Sequence, residues 1–147
     1  MIDIHEKNPT DRTAIAVGRV CMNQSAIDAL VEGRLPKGDP LAAARLAGIM
    51  AAKRTPELIP LCHPIPISFC DLSFDIDQES GVVAITATAR AHAATGVEME
   101  ALTAVVVAAL TIHDMCKAID PGVEIQTVHL LRKSGGKAGT WERRENS

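Results

Sequence analysis

Residues 95–117 constrain the fold more than any other part of the chain, because they predict one long helix that is apolar on nearly every side. Thr95 followed by Glu98 is the capping-box pattern of a helix start. A helix of this composition is normally buried in a core. Asp114 and Lys117 nevertheless lie three residues apart on one side of its final turns. We therefore expect either an ion pair or a functional site at that end.

The composition excludes several classes of protein. A chain of 147 residues is long enough for one domain with a sizeable core. The net charge of −3, with two Phe, one Trp and no Tyr, argues against a nucleic-acid-binding protein. The sequence has no signal-peptide pattern and no run of eighteen apolar residues, so we expect a cytoplasmic protein that does not bind membranes. The four scattered cysteines are then expected to be reduced thiols.

The remaining pattern predicts a sheet and further helices. Alternation of apolar and polar residues over 68–76 and 82–91, with a turn between them, predicts an antiparallel hairpin. Residues 58–67 contain three prolines and predict an extended connector. Other strands are predicted at 1–4, 13–22 and 123–132, and other helices at 25–32 and from 40 to about 54. We expect an α+β fold with long helices packed on one face of an antiparallel sheet, one domain at 1–141 and a disordered tail at 142–147.

Two positions suggest charged chemistry at helix ends. Lys37 stands beside Gly38 where Asp39 is expected to cap a helix, a place that can receive an anion but also suits an exposed lysine. Asp114 and Lys117 fit a structural ion pair or an acid–base pair, and the local pattern does not decide between them.

Two further segments suggest binding. Cys62 and His63 lie between prolines, which favours a rigid histidine donor over a zinc site, because no second Cys/His pair follows at zinc spacing. The loop at 133–137, KSGGK, has glycines whose backbone N–H groups could converge on phosphate, although it lacks the order of a P-loop.

Taken together, these segments form an ordered set of motifs. They are KGD at 37–39, AAKRT at 51–55, LIPLCHP at 58–64, TGVEMEALTA at 95–104, DMCKA at 114–118 and KSGGK at 133–137. The set resembles the molybdenum-cofactor biosynthesis protein C (MoaC) family, whose members are cyclic pyranopterin monophosphate synthases. The resemblance runs from residues 2–4 to the glycine-rich loop. The fold expected is then α+β of the ferredoxin-like type, in an oligomeric protein.

The resemblance implies a reaction and a set of residues. Members of the family convert a cyclised dihydro-GTP into cyclic pyranopterin monophosphate and release pyrophosphate, which makes them lyases. No cofactor or metal site is required, and Mg²⁺ would enter only with the substrate triphosphate. The matching catalytic positions are Lys37, Asp114 and Lys117; the substrate-binding positions are Leu61, Cys62, His63, Met99 and Glu100, with phosphate contacts expected from Arg12, Lys53, Lys133 and Lys137.

The chain departs from the family pattern at two positions. His113 stands where an aromatic residue such as Tyr is common, and Ala94 stands where Lys is common. The first could alter packing beside Asp114, and the second could remove a peripheral phosphate contact. Neither departure falls on a matched catalytic position.

Helix geometry predicts how the site is assembled. Glu100 and Asp114 are fourteen residues apart, so about 21 Å of helix separates them. One nucleotide cannot span both, and we expect a site shared between two subunits. The homohexamer, a trimer of dimers, that the resemblance implies agrees with this. The rival interpretation is a non-catalytic nucleotide-binding regulator, in which His63 and the loop at 133–137 hold the phosphates.

Overall fold

The computed structural model describes residues 1–144 as a five-stranded antiparallel sheet with helices on one face. The elements are β1 (Thr10–Cys21), α1 (Gln24–Val31), α2 (Pro40–Lys53), α3 (Thr55–Leu58), β2 (Phe69–Asp77), β3 (Val82–Ala93), α4 (Glu98–Cys116), β4 (Glu124–Ser134) and β5 (Trp141–Glu142). The spatial order is β2-β3-β1-β4-β5. The first four strands therefore have the ferredoxin-like βαββαβ arrangement, and β5 extends one edge. The predicted fold class is confirmed.

The strands form because their side chains alternate between a core face and an open face. Ala14, Ala16 and Val20 of β1 have no exposed surface and lie under the helices. The small alanines allow the long apolar helix to approach the sheet closely. The intervening residues Thr13 and Arg19 lie on the opposite face, which is partly exposed.

α2 and α4 pack tightly because small residues line their contact. Ala44, Ala51 and Ala52 of α2 are buried, as are Ala101, Ala104 and Ala108 of α4. A Cβ atom added to Gly48 would lie 2.9 Å from the Ala104 carbonyl oxygen and 2.7 Å from a methyl group of Leu72. The abundance of alanine thus has the structural effect expected from the sequence, which is close contact between helices.

The start of α4 differs from the prediction. The helix begins at Glu98, its N-cap is Val97, and no side chain caps it. The prediction of a capping box formed by Thr95 and Glu98 is therefore wrong. The Glu98 carboxylate instead accepts a hydrogen bond from Lys133 of β4 at 2.8 Å.

The two ends of the chain also differ from the prediction. Residues 1–4 are not a strand: the Ile2 carbonyl oxygen accepts a hydrogen bond from the His63 ring, and Lys7 closes a turn onto Ile4. Glu142, which the sequence placed in a disordered tail, pairs with Arg132 in β5. Arg143, in the same predicted tail, donates its backbone N–H to the Leu131 carbonyl oxygen at 2.8 Å. Residues 145–147 lie outside the described residues.

α4 is long and apolar enough to cross a membrane when length and composition alone are considered. In the most apolar window of this helix, 56% of the residues are buried inside the domain. Core helices of soluble proteins meet the same criterion of length and composition. In this chain α4 packs on the sheet and on α2.

We predict that Gly48→Ala lowers the free energy of unfolding by about 1–3 kcal/mol, because the new methyl group must push α2 away from α4. Urea denaturation should show a lower midpoint for this variant. Ala42→Ser, on the exposed side of the same helix, is the matched control and should change stability by less than about 0.5 kcal/mol. An unchanged midpoint for Gly48→Ala would contradict the tight contact.

Candidate active site

Three of the predicted residues meet at the C-terminal end of α4. Asp114 accepts a hydrogen bond from Lys37 Nζ on its Oδ2 atom at 2.7 Å. Its Oδ1 atom lies 2.7 Å from Lys117 Nζ. The Asp114 carboxylate thus bridges two ammonium groups. Lys37 is 77 residues from Asp114 in the sequence, and Lys117 is three residues from it.

The loop before α2 holds Lys37 in place. Leu35 is buried and anchors the loop, and Gly38 N–H donates to its carbonyl oxygen at 3.2 Å. Gly38 has a φ of 102°, a left-handed conformation that glycine adopts without strain. Asp39 caps α2 by accepting from the backbone N–H groups of Leu41 and Ala42, as the sequence predicted. These contacts aim Lys37 at the end of α4.

The electrostatics of this cluster follow from the bridge. Hydrogen bonds from Lys117 and then Lys37 lower the pKa of Asp114 to about 2. Asp114 is therefore ionised at neutral pH. About half of each side chain is exposed, with 50% for Asp114, 53% for Lys37 and 55% for Lys117. The cluster opens to solvent in the single chain, so a ligand can reach all three groups.

A second group of predicted residues lies at the N-terminal end of α4. A cavity of about 640 Å³ is bounded there by the first residues of the chain, the start of β1, the entry to α4 and the glycine-rich loop. Arg12, Lys133 and Lys137 all line it. Gly135 and Gly136 have φ values of 101° and 78°, which let the loop fold back over β1.

Arg12 is directed at backbone carbonyl groups. Its Nε atom donates to Ala93 at 3.3 Å, and its two terminal nitrogens donate to Gly135 at 3.3 Å and Ala94 at 3.2 Å. The guanidinium therefore ties the end of β3 to the glycine-rich loop. Ala94, one of the departures from the family pattern, contributes its carbonyl oxygen to this arrangement.

The connector and the first turn of α4 place Cys62 near Glu100. Burial, followed by the charges of Glu100 and Glu98, raises the pKa of the Cys62 thiol. His63 Nε2 donates to the Ile2 carbonyl oxygen at 2.7 Å, so Nε2 carries the proton. No group of three His, Cys, Asp or Glu side chains comes together within residues 1–144.

Glu100 is the most unusual of these groups. Only 1% of its surface is exposed, and neither carboxylate oxygen has a hydrogen-bond partner among the described residues. Burial raises its pKa. A buried carboxyl group without a partner is costly, so it marks a place where a further donor is expected.

The predicted residues thus divide into two groups. Leu61 and Met99 are exposed, at 69% and 37%, near the second group, and Lys53 ends α2 at the end opposite Lys37. The 14 residues of α2 correspond to about 21 Å. The Lys37–Asp114–Lys117 cluster and the second group are therefore far apart within one chain.

One contact at the second group has no signal in the sequence. Glu98 pairs with Lys133, and this holds the first turn of α4 against β4 beside the cavity. The two residues are 35 positions apart, so no local spacing pattern could reveal their contact. The N-terminal residues Glu6 and Lys7, which also line the cavity, carried no motif either.

We predict that Glu100→Gln raises stability at pH 8 by roughly 1 kcal/mol and leaves it nearly unchanged at pH 4. The pKa of Glu100 is raised in the folded state. The folded protein is therefore more stable at low pH, where Glu100 is protonated, and it loses this stability as the pH rises through that pKa. Gln carries no such charge. Urea denaturation at both pH values measures the difference.

The matched control for this prediction is Glu98→Gln, which breaks the ion pair with Lys133 and should lower stability at pH 8. A stability difference between Glu100→Gln and the native chain that is the same at pH 4 and pH 8 would contradict the prediction.

Comparison with known proteins identifies the family of the chain. The sequence profile of the MoaC family matches residues 1–136. The cyclic pyranopterin monophosphate synthase of Geobacter sulfurreducens is 54% identical over 145 residues, which cover 99% of this chain and 91% of that protein. The synthase of the same name from Thermoanaerobacter pseudethanolicus is 52% identical over 97% of this chain and 90% of its own length. That of Thermomicrobium roseum is 49% identical over 99% and 88%. The extent of these matches shows that the chain belongs to the MoaC family.

Proposed function

We propose that the chain is a cyclic pyranopterin monophosphate synthase of molybdenum cofactor biosynthesis. Its substrate is (8S)-3′,8-cyclo-7,8-dihydroguanosine 5′-triphosphate, and its products are cyclic pyranopterin monophosphate and pyrophosphate. It acts as a phosphorus–oxygen lyase that forms a cyclic phosphate. The observation that carries this proposal is the bridge of Asp114 between Lys37 and Lys117, in a chain about half identical to synthases of that name.

The three bridged residues carry the proton transfers. Ring opening and reclosure move protons both to and from the substrate, and closure of the cyclic phosphate removes a proton from the attacking hydroxyl group. Two lysines at 2.7 Å from one carboxylate can serve as acid and base while Asp114 stays ionised and holds both in place. Asp114 also balances their charge as protons are exchanged.

The residues at the other end of α4 bind the substrate. Leu61, Cys62, His63, Met99 and Glu100 provide the base and ribose contacts. The buried carboxyl group of Glu100, which lacks a partner, is suited to accept N–H groups of a purine-derived ring. Lys53, Lys133, Lys137 and the two free N–H groups of Arg12 contact the phosphates and stabilise the departing pyrophosphate. No cofactor is required, and Mg²⁺ enters only with the triphosphate.

One substrate reaches both groups only if two chains form the site together. The separation of about 21 Å along α4 supports an arrangement in which the Glu100 end of one helix lies near the Asp114 end of a neighbour. A two-fold axis produces two such sites. We propose a cytoplasmic homohexamer built as a trimer of dimers, with active sites between subunits and with no nucleic acid or membrane as a partner.

We predict that Lys37→Ala, Asp114→Asn and Lys117→Ala each lower kcat by at least about 100-fold, because each removes a group that moves protons or holds one that does. Release of pyrophosphate from the cyclised dihydro-GTP is the measurement. Arg34→Ala, which breaks only an exposed ion pair with Glu32, is the control and should retain full activity.

Lys117→Ala also separates the enzyme from a nucleotide-binding regulator. An enzyme loses turnover but keeps its fold and binds GTP, as a substrate surrogate, within about threefold of the native affinity, because affinity comes from the other end of α4. Loss of affinity, with no pyrophosphate formed by the native protein, would instead support the regulator.

We predict that mixing inactive Lys37→Ala and Glu100→Ala chains, after unfolding and refolding together, restores about a quarter of the native activity. In a random mixture half of the dimers are hybrids, and each hybrid has one intact site of two when Lys37 and Glu100 come from different subunits. Pyrophosphate release again measures this. Refolding each variant alone is the control, and a mixture as inactive as its components would exclude the shared site.

A further inference from the structure

The open face of the sheet carries a pocket that the proposed reaction does not use. Phe69, Arg90, Thr13 and Ser134 stand opposite one another in a row across β2, β3, β1 and β4. Arg132 lies two residues before Ser134 and pairs with Ile15, so it shares this face. A pocket of about 270 Å³ is lined by these side chains: Thr13, Ile15, Arg90, Arg132 and Ser134.

The two arginines of this pocket have no carboxylate partner among residues 1–144. The Arg90 guanidinium lies over the Phe69 ring, 4.8 Å from its centre, which fixes its plane while leaving its N–H groups free. Arg132 of β4 lies opposite Glu142 of β5, but no ion pair joins their side chains. Two free guanidinium groups that line one pocket are a source of strong, directional hydrogen bonds to an oxyanion.

Two acidic neighbours of the pocket, one on β2 and one on β1, are engaged by other side chains. Asp71, beside Phe69 on β2, accepts from Arg45 at 2.7 Å. Asp11, two residues before Thr13, pairs with His92 at 2.9 Å. Neither carboxylate forms an ion pair with Arg90.

The lining also fits an oxyanion in size and chemistry. Thr13 and Ser134 add hydroxyl groups, which can donate alongside the arginines. Since a water molecule occupies about 30 Å³ of liquid, a volume of about 270 Å³ has room for one or two phosphate groups with some solvent. Lys133 of the larger cavity belongs to the opposite face, where it pairs with Glu98.

We propose that this open-face pocket is a separate binding site for a phosphate-type oxyanion, held by Arg90 and Arg132 with the hydroxyl groups of Thr13 and Ser134. The anion has two possible sources, free inorganic pyrophosphate or the terminal phosphates of a nucleotide. Thr13 and Ser134 also line the cavity beside the glycine-rich loop, so an anion in the pocket lies next to that cavity without occupying it.

Isothermal titration with sodium pyrophosphate tests the proposal on the full chain. We expect the native protein to show two classes of sites, one at the cavity beside the glycine-rich loop and one at the open-face pocket. Arg132→Gln should weaken the second class at least tenfold, and the double variant Arg90→Gln/Arg132→Gln should abolish it while leaving the first class in place. Arg19→Gln is the matched control, because Arg19 lies on the same face of β1 but outside the pocket, and it should leave binding unchanged. Glu142→Gln should tighten binding two- to threefold by removing the nearest unpaired carboxylate.

Parallel titrations with GTP separate the two sources. Weaker pyrophosphate binding with unchanged GTP binding in the double variant assigns the pocket to the free anion, and the reverse assigns it to nucleotide phosphates. Identical titrations of the native chain and the double variant with both ligands would overturn the proposal. If loss of the Phe69 contact prevents the double variant from folding, Arg132→Gln decides alone, because the Arg132 side chain makes no hydrogen bond or ion pair within residues 1–144.

Discussion

The contact between α2 and α4 is the interaction on which the candidate active site depends. Gly48 lets the two helices approach until the Ala104 carbonyl oxygen lies only 2.9 Å from where a Cβ atom would stand. This close contact fixes the position of α2 along the axis of α4. Because Lys37 precedes the first turn of α2, the position of that helix places the Lys37 ammonium group 2.7 Å from Asp114. A site made of only three side chains thus depends on packing that lies well inside the domain.

The helix α4, held by this contact, presents different chemical groups at its two ends. The C-terminal end of α4 presents a solvent-accessible carboxylate with two ammonium groups, and the N-terminal end presents a buried carboxyl group without a partner. Between them, Val106 and Leu110 of α4 and Leu46 of α2 are exposed apolar side chains, at 39%, 53% and 61%. In the proposed assembly a neighbouring chain covers these side chains and brings its own end of α4 to complete each site. The helix is then both a core element and the spacer between two sites.

Much of this organisation could be predicted from the sequence. Alternation identified β2 and β3, Asp39 and Pro40 identified the start of α2, and the apolar run identified α4, because each depends on neighbours in the chain. The pairing of Asp114 with Lys117 follows from helix spacing alone. The contact of Lys37 with Asp114, by contrast, was expected only through the family resemblance.

Two of the errors share one physical cause, which is competition from partners distant in the sequence, and a third comes from an irregular strand. Glu98 could cap its own helix, but Lys133 of β4 offers it a donor that carries a full positive charge, and a neutral backbone N–H group does not provide that attraction. The N-terminal residues could extend the sheet, but His63 takes the Ile2 carbonyl oxygen instead. In β4, Thr127 has a φ of 50°, and the pairing with β1 shifts register there, so simple alternation fails.

Arg12 shows how contacts with residues distant in the sequence can change the role that is expected of a residue. A basic residue near a glycine-rich loop suggests a phosphate ligand, yet three of its five N–H groups are committed to carbonyl oxygens of Ala93, Ala94 and Gly135. A Cβ atom on Gly136 would collide with the guanidinium, so any side chain at this position would have to displace Arg12. Arg12 therefore determines where the loop lies, and only its two remaining N–H groups can face a phosphate. The lysines of the loop are left as the main source of charge, and their position depends on an arginine whose principal partners are backbone atoms.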